Sequence, residues 1–331
     1  MKLLHIGKAN NLEKYAAPDS FLFQLERVSC PIGRTTDEYL AAAGDADFII
    51  ADAIGGVSGE LIEAMPRLRL IHSEGVAYNR IDIEAARAKH VWVCNSRGMN
   101  ASAVAEQTIL LMLGLLRDVA GGDRAVRQGR QIDVKEGWMQ RGDLRELPDC
   151  SVGLIGFGDI GRATARLLRA FGVKNILCAK RTPLSPEEEE AFGVRCCGLA
   201  QLLSESDIVS LHLPVTADTA GMADSAFFSA MKDGAFFVNT SRGELVDDRA
   251  LIEAIASGKV AMAGLDTLDD EPVRPDHPLL NVPDAVAERL LFSPHIGGIT
   301  AASFRRSYAM IAQDIRDAAE GRVPDRVVNP W

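Results

Sequence analysis

The chain has 331 residues, 47% of them hydrophobic and 25% charged, which is long enough for two folded domains with separate cores. Its formal net charge of -10 disfavours nucleic acid and anionic membranes as partners, because both bind basic surfaces. No signal-like segment opens the chain, and the most apolar stretch, residues 108–116, is far shorter than the roughly 20 residues that span a bilayer, so we expect a cytoplasmic protein.

Short apolar runs alternate with helical stretches over the first hundred residues. Helices are predicted at residues 59–65 and 82–89. Buried strands are predicted at KLLHI, DFIIAD, LRLIHSE and VWVCNS. This alternation indicates a parallel sheet covered by helices.

A long helix is predicted from Asn100, over NASAVAEQTILLMLGLLRDV, behind an Asn or Ser cap. It is apolar nearly all round, which is typical of a helix buried between domains or subunits. The next segment, residues 127–150, is polar and has no sustained period. We predict an extended arm there that contains Trp138 and leads into a second domain.

A second series of strands begins at SVGLIGFG. It continues through NILCAKR, GVRCC, DIVSLHLP, AFFVNTS, AMAGLDTL and RLLFSPHI, with helical segments in most of the gaps. Seven strands with interleaved helices predict a doubly wound α/β sheet. The amphipathic helix at 300–320 is too short to be a domain, so we expect it to pack on the N-terminal half. The predicted domains are therefore 1–99, 100–296 and a return segment, 297–331.

The six cysteines include no CxxC pair and no zinc-finger spacing. They are expected to be reduced and mostly buried. The acidic run PEEEE at 186–190 is typical of a solvated helix start, with Pro186 at the first helical position. We therefore predict no metal site.

The segment GFGDIG, residues 156–161, lies between a predicted strand and a predicted helix, which is the context of a dinucleotide-binding loop. Gly156 permits the tight turn, Gly158 lets the backbone approach the pyrophosphate, and Gly161 lets the helix pack closely. The phosphates are expected on the N–H groups around Asp159 and Ile160.

The next strand ends in Lys180 and Arg181, where such units usually carry an acid that accepts from the ribose 2′-hydroxyl. No Asp or Glu occurs between residues 175 and 186. A basic pair suits a 2′-phosphate, so NADP(H) is favoured and NAD(H) is the alternative. The competing interpretation is a solvated basic pair at a strand end.

Three further segments follow strands of the second series and contain Arg242, Glu271 and His295. Each residue has a plain structural explanation by itself, namely a salt bridge, a turn residue and a loop histidine. Together, beside a dinucleotide loop, they are suited to 2-hydroxy acid chemistry. Arg242 can orient the substrate carboxylate, and His295, oriented by Glu271, can protonate the nascent alkoxide.

These motifs, with NASAVAEQTILLML upstream, resemble those of the D-isomer-specific 2-hydroxyacid dehydrogenases over nearly the whole chain. The resemblance implies a Rossmann-type domain inserted in a smaller flavodoxin-like substrate domain, and homodimers built around residues 100–147. It assigns catalysis to Arg242, Glu271 and His295. Further cofactor contacts are implied for Thr108, Asp159, Ile160, His212, Leu213, Pro214, Thr240, Ser241, Asp266, Gly297 and Gly298.

The family's substrate loop matches SEGVAYNRID, residues 73–82, which makes the N–H groups of Gly75, Val76 and Ala77 the expected carboxylate donors, together with Arg242. Phosphoglycerate-type members tend to have arginine where this chain has Ser73. The neighbouring acid Glu74 disfavours a phosphate ester unless its side chain points away.

We therefore predict a glyoxylate or hydroxypyruvate reductase. Arg80 can still supply positive charge beside the loop, which keeps a phosphorylated substrate open as an alternative. The alternatives are a phosphoglycerate dehydrogenase and a dinucleotide-sensing corepressor of the same fold.

Overall fold

The computed structural model describes residues 1–330 and divides the chain into two compact units. Unit 1 consists of Met1–Asn100 and the described residues from Ile299 onward, and unit 2 is Ala101–Gly298. Each unit contains one all-parallel sheet. Within residues 1–330, no helix combines the length and apolarity needed to cross a bilayer.

The elements are numbered in chain order. The strands are β1 (Lys2–Ile6), β2 (Glu26–Cys30), β3 (Phe48–Ala51), β4 (Leu70–Ser73), β5 (Trp92–Cys94), β6 (Val152–Ile155), β7 (Ile176–Ala179), β8 (Arg195–Cys196), β9 (Ile208–Leu211), β10 (Ala235–Asn239), β11 (Val260–Leu265) and β12 (Leu290–Phe292). The helices are α1 (Asn11–Tyr15), α2 (Thr36–Ala43), α3 (Gly59–Ala64), α4 (Ile83–Ala88), α5 (Ala101–Leu116), α6 (Val119–Arg127), α7 (Gln131–Arg141), α8 (Asp159–Ala170), α9 (Pro186–Phe192), α10 (Leu199–Glu205), α11 (Ser225–Ala230), α12 (Asp248–Ala256), α13 (Asp284–Ala287) and α14 (Ala301–Ala319).

The sheet of unit 1 has the strand order β2-β1-β3-β4-β5, which is the flavodoxin-like order. Successive residues of its inner strands are buried on opposite faces, which explains their continuous apolar sequences. On one face, Leu3 and Phe48 pack with Tyr308 and Ile311 of α14. The sequence analysis missed β2, because this edge strand is polar and only Cys30 in it is buried.

The sheet of unit 2 has the order β12-β11-β10-β9-β6-β7-β8 and contains all seven predicted strands. Counted from β6, this is the Rossmann order 3-2-1-4-5-6 with one strand added beyond the sixth. Helix α5 packs against α8 and contributes Ile109 and Met112 to the core on one face of the sheet. The other face is covered by side chains such as Phe228 and Leu251. The predicted α/β fold class is confirmed.

The prediction of an extended arm after the long helix is wrong. The long helix ends at Leu116, and α6 and α7 follow as two separate helices that contact each other. The sequence gives little sign of α7, because none of its residues is buried and it therefore has no apolar stripe. Trp138 of α7 lies beside Gly122 of α6.

The expectation that all six cysteines are reduced is also wrong. Cys178 and Cys196 form a disulfide, while the other four are free. The two residues are 18 positions apart but are direct partners in the register of β7 and β8, with Cα atoms 4.6 Å apart. Strand pairing, which the cysteine spacing does not reveal, brings them together.

Candidate active site

Six strands of unit 2 end on a single row of paired residues. In sheet order the row is Phe292, Leu265, Asn239, Leu211, Ile155 and Ala179. Because the strands are parallel, the segments that follow the row emerge along one edge of the sheet. The residues directly after it are Ser293, Asp266, Thr240, His212, Gly156 and Lys180. The predicted cofactor and catalytic segments are thus brought to the same edge.

The glycine loop has the geometry of a phosphate-binding turn. Gly156 has φ 94°, and a Cβ atom there would overlap the carbonyl oxygen of His212. Gly158 precedes α8 without a side-chain cap, and a Cβ on it would meet nothing within 4 Å. Asp159 and Ile160 are the first two residues of α8. Open space at the N-terminus of this helix fits a dinucleotide pyrophosphate.

His212 lies beside this turn and is 9% exposed. Its Nε2 is 3.1 Å from Ser210 Oγ, while Nδ1 is buried without a hydrogen-bond partner. Burial lowers the pKa of His212 to about 4, so the ring is neutral at physiological pH. A buried polar atom without a partner is costly, which makes Nδ1 a candidate contact for a bound ligand. Leu213 is half-buried and Pro214 exposed.

Lys180 and Arg181 follow β7, the first half-buried and the second exposed. Within residues 1–330, neither side chain forms a hydrogen bond or an ion pair. The acid near Lys180 is Glu188, whose pKa is held below its usual range by Arg162, the Ser185 N–H and Lys180. Glu188 is already bound to Arg162 at 2.7 Å and to the Ser185 N–H at 3.2 Å. The two basic groups therefore stay available.

Arg242 is held by the turn after β10. Asn239 Nδ2 donates to the carbonyl oxygen of Arg242 at 2.8 Å, and Asn239 Oδ1 accepts from the Ser241 N–H at 2.9 Å. Ser241 Oγ donates to the Leu211 carbonyl oxygen at 2.7 Å. The Arg242 side chain is exposed, and its Nη1 donates to the Ser241 carbonyl oxygen at 2.7 Å. A braced backbone thus presents a guanidinium to solvent.

Thr240 and Thr108 are both buried, and their hydroxyl oxygens lie 2.9 Å apart. This contact connects α5 to the turn after β10. The structure therefore brings Thr108 to the same turn as Thr240 and Ser241, although it is distant in sequence.

His295 and Glu271 form a close pair, with Nδ1 of His295 2.5 Å from Oε2 of Glu271. The other oxygen of Glu271 accepts from the Leu268 N–H at 3.1 Å, which fixes the carboxylate. The side chains of His295 and Glu271 are 43% and 34% exposed, so the ring is accessible to a substrate. His295 has φ 53°, and its N–H donates to the Asp266 carbonyl oxygen at 2.8 Å.

Asp266 holds the loop that carries His295. Its buried carboxylate accepts from Ser293 Oγ at 2.5 Å, from the Ile296 N–H at 3.1 Å and from the Gly297 N–H at 2.8 Å. A Cβ at residue 297 would lie 2.9 Å from this carboxylate, so a larger residue there would displace it. The structure gives Asp266 this loop-holding role, while its cofactor contact, like that of Gly298, remains a prediction.

Three residues that hold the loops of the site by hydrogen bonds were not predicted from the sequence. They are Ser293, Gln107, whose Nε2 donates to Ser293 Oγ at 2.9 Å, and Asn239. Ser293 and Asn239 lie inside motifs that had been singled out, but their partners are distant in sequence. Within residues 1–330, no three or more His, Cys, Asp or Glu side chains are grouped to hold a metal ion.

The predicted substrate loop lies in unit 1 after β4. Its carbonyl groups are held inside the unit, with Val76 O accepting from Asn95 Nδ2 at 2.7 Å and Ala77 O from Ser73 Oγ at 2.6 Å. The N–H groups of Val76 and Ala77 have no partner within residues 1–330, whereas that of Gly75 donates to Ser73 Oγ at 3.3 Å. Two free N–H groups on an exposed turn suit a carboxylate.

The Glu74 side chain points away from this loop into the core of unit 1, where it is 3% exposed. The expectation that Glu74 disfavours a phosphate ester is therefore wrong, because its carboxylate does not face the loop. Arg80 Nη1 donates to the Ile54 carbonyl oxygen at 2.9 Å, in the turn after β3.

The chain is similar to known proteins of one family. The sequence profile of the D-isomer specific 2-hydroxyacid dehydrogenase, NAD binding domain, matches residues 109–297. The chain is 33% identical to the glyoxylate reductase of Aeropyrum pernix over 88% of its length and 85% of that protein. It is 34% identical to the D-3-phosphoglycerate dehydrogenase of Archaeoglobus fulgidus over 91% of its length but only 55% of that protein.

A solved structure gives the same result. The D-lactate dehydrogenase of Aquifex aeolicus, complexed with NAD and lactic acid, superposes with a TM-score of 0.79 over 100% of both chains at 26% identity. The chain therefore belongs to the D-isomer specific 2-hydroxyacid dehydrogenase family. It is an oxidoreductase that acts on the CH–OH group of its donor and uses a nicotinamide dinucleotide.

Gly156→Ala should weaken coenzyme binding by at least about tenfold, since the new Cβ collides with the His212 carbonyl group and displaces the phosphate turn. Titration of NADPH and NADH by coenzyme fluorescence measures this. Gly172→Ala is the matched control, because Gly172 has φ 88° but a Cβ there would meet its nearest atom only at 3.8 Å. Equal affinity in both variants would contradict the role of Gly156.

Proposed function

We propose that the protein is an NADP(H)-preferring reductase of small 2-keto acids, of the glyoxylate or hydroxypyruvate type. The observation that carries this proposal is the accessible His295–Glu271 pair on the sheet edge that also holds the glycine loop and Arg242. In this proposal unit 2 binds the dinucleotide, and the loop at Gly75–Ala77 of unit 1 binds the substrate carboxylate.

Arg242, Glu271 and His295 have separate roles in the proposed reaction. When bound, the nicotinamide supplies the hydride for the keto carbon. Arg242 orients the substrate carboxylate and polarises the carbonyl group. Glu271 occupies Nδ1 of His295, so Nε2 is the nitrogen that delivers a proton to the nascent alkoxide oxygen. The same groups run the reverse reaction with the proton moving back to His295.

The proposed substrate class is supported by the absence of a charged side chain at residue 73. At the position where phosphoglycerate-type members tend to have arginine, the Ser73 hydroxyl donates to Ala77 O and brings no charge. The relatives include both glyoxylate reductases and D-3-phosphoglycerate dehydrogenases. Phosphoglycerate dehydrogenase is therefore the second candidate.

The purified protein should reduce glyoxylate and hydroxypyruvate with higher kcat/KM than 3-phosphohydroxypyruvate, because no cation at Ser73 meets the phosphate. Steady-state kinetics over this panel tests the ranking. His295→Gln is the control for the site and should lower kcat about 100-fold by removing the acid. Preference for the phosphorylated compound would favour the second candidate, and no turnover of any keto acid in the panel would refute the proposal.

The preference for NADP(H) rests on Lys180 and Arg181. Both residues directly follow β7, whose last residue pairs with the last residue of β6, before the glycine loop. The nearby acid Glu188 is already bound to Arg162. A guanidinium and an ammonium bind a 2′-phosphate, whereas neither replaces the acid that accepts from a free 2′-hydroxyl.

Lys180→Ala and Arg181→Ala should each raise the KM for NADPH about tenfold and leave the KM for NADH nearly unchanged. Measurement of kcat/KM with both coenzymes at fixed salt checks this. Lys174→Ala is the matched control, because this exposed lysine precedes β7 at the opposite end of the strand. A wild-type preference for NADH would contradict the proposal.

We also propose that the protein is a homodimer formed through the region that contains α5, α6 and α7. These helices expose several large apolar side chains: Leu110, Val119, Val126, Ile132 and Met139 are each 57–72% exposed. Helix α6 contacts both α5 and α7, and exposed apolar side chains on neighbouring helices are typical of an interaction surface.

Sedimentation equilibrium should therefore give the mass of a dimer. Combined substitution Val126→Asp and Met139→Asp should shift it to monomer, because charges would be buried in the interface. Val323→Asp, at an equally exposed apolar residue of unit 1, is the control and should remain dimeric. A monomeric wild type, or a dimer unaffected by the double substitution, would refute this interface.

A further inference from the structure

The predicted substrate loop, residues 73–82, contains a buried carboxylate directly before the turn at Gly75–Ala77. Glu74 is 3% exposed, and its side chain lies among three polar partners from distant parts of unit 1. Its Oε1 accepts from the Tyr308 hydroxyl and lies 3.0 Å from His5 Nε2, and its Oε2 accepts from Asn11 Nδ2 at 3.4 Å.

The partners come from β1, from α1 and from α14. One carboxylate therefore connects the two chain segments that form unit 1, residues 1–100 and the segment from Ile299 onward. Tyr308 is fully buried, and burial together with the charge of Glu74 raises the pKa of its hydroxyl. The hydroxyl therefore keeps its proton and stays a donor. A buried carboxylate left without such partners would be strongly destabilising.

The backbone of Glu74 is fixed as well. Its N–H donates to the Ala51 carbonyl oxygen at 2.8 Å, and its carbonyl oxygen accepts from Ser307 Oγ at 2.6 Å. Ser307 Oγ lies 2.7 Å from Ser96 Oγ, and the Ser96 N–H donates to the Gly75 carbonyl oxygen at 2.9 Å. Helix α14 thus holds the loop through the Glu74 side chain and through this serine pair.

We propose that Glu74 is a positioning residue for the keto acid: its buried carboxylate locks the turn at Gly75–Ala77 so that the N–H groups of Val76 and Ala77 are preorganised for the substrate carboxylate. This inference rests on the proposed function. Preorganisation removes the cost of ordering the loop when the substrate binds, so it acts on affinity for the keto acid.

A purely electrostatic effect would have the opposite sign. A negative charge behind an anion-binding turn would repel the substrate carboxylate, and its removal would lower the KM for the keto acid. A purely structural role would lower the stability of unit 1 without changing the KM of the folded enzyme. The KM for the keto acid separates the three possibilities.

The experiment compares Glu74→Ala, Glu74→Gln and Tyr308→Phe with the wild type, using glyoxylate and hydroxypyruvate with saturating NADPH. Glu74→Ala should raise the KM for the keto acid about tenfold or more, with a much smaller change in kcat and in the KM for NADPH. Glu74→Gln should restore most of the affinity, since its amide oxygen can still accept from Tyr308 or Asn11. Tyr308→Phe should be intermediate, and it replaces Glu74→Ala if that variant does not fold.

Asp47→Asn is the matched control. Asp47 is also buried in unit 1 and paired with Arg67 at 3.1 Å, but it precedes β3 at the opposite end of the sheet from the loop. It should lower thermal stability and leave the KM for the keto acid unchanged.

Several results would overturn the inference. They are an unchanged or lowered KM for the keto acid in Glu74→Ala and Tyr308→Phe, or a raised KM in Asp47→Asn. If the wild type reduces keto acids normally, such a result contradicts the role of Glu74 and leaves the proposed function intact. If the wild type reduces none of them, the proposed function fails and this inference fails with it.

Discussion

The functional geometry of unit 2 depends on the register of its parallel sheet. Phe292, Leu265 and Asn239 are direct partners, so the segments carrying His295, Asp266 and Arg242 leave the sheet at the same level. Leu211, Ile155 and Ala179 extend this row past the switch point between β6 and β9. A slip of one residue in any strand would reverse the faces of its side chains and displace the loop that follows.

Beyond this row, buried polar groups set the position of each functional side chain. Asp266 fixes the loop of His295 and Asn239 fixes the turn of Arg242, while Glu271 itself contacts the imidazole. Arg242 is exposed and His295 partly exposed, whereas Asp266 and Asn239, which hold their loops, are buried. In the proposed reaction this arrangement keeps the two side chains accessible and limits their motion, as proton transfer to a developing alkoxide requires.

The sequence was sufficient for the parallel sheets and for the positions of the glycine loop, Arg242, Glu271 and His295, because each follows a strongly apolar strand. The sequence was insufficient for elements that have no apolar pattern and for contacts between residues that are distant in the chain. The polar edge strand β2 and helix α7, which has no buried residue, belong to the first kind. The Cys178–Cys196 pairing and the inward direction of Glu74 belong to the second, because both depend on elements brought together only by folding.

The discontinuity of unit 1 has a consequence for synthesis on the ribosome. All residues of unit 2 are contiguous, whereas one face of the sheet in unit 1 is covered by Tyr308, Ile311 and Ile315, which are translated after unit 2. Unit 2 can therefore complete its core while the first hundred residues still expose Leu3, Phe48 and Ile50. Residues 1–100, which are translated before unit 2, therefore complete their core only after unit 2 has been made, and their exposed apolar side chains are open to aggregation in the interval.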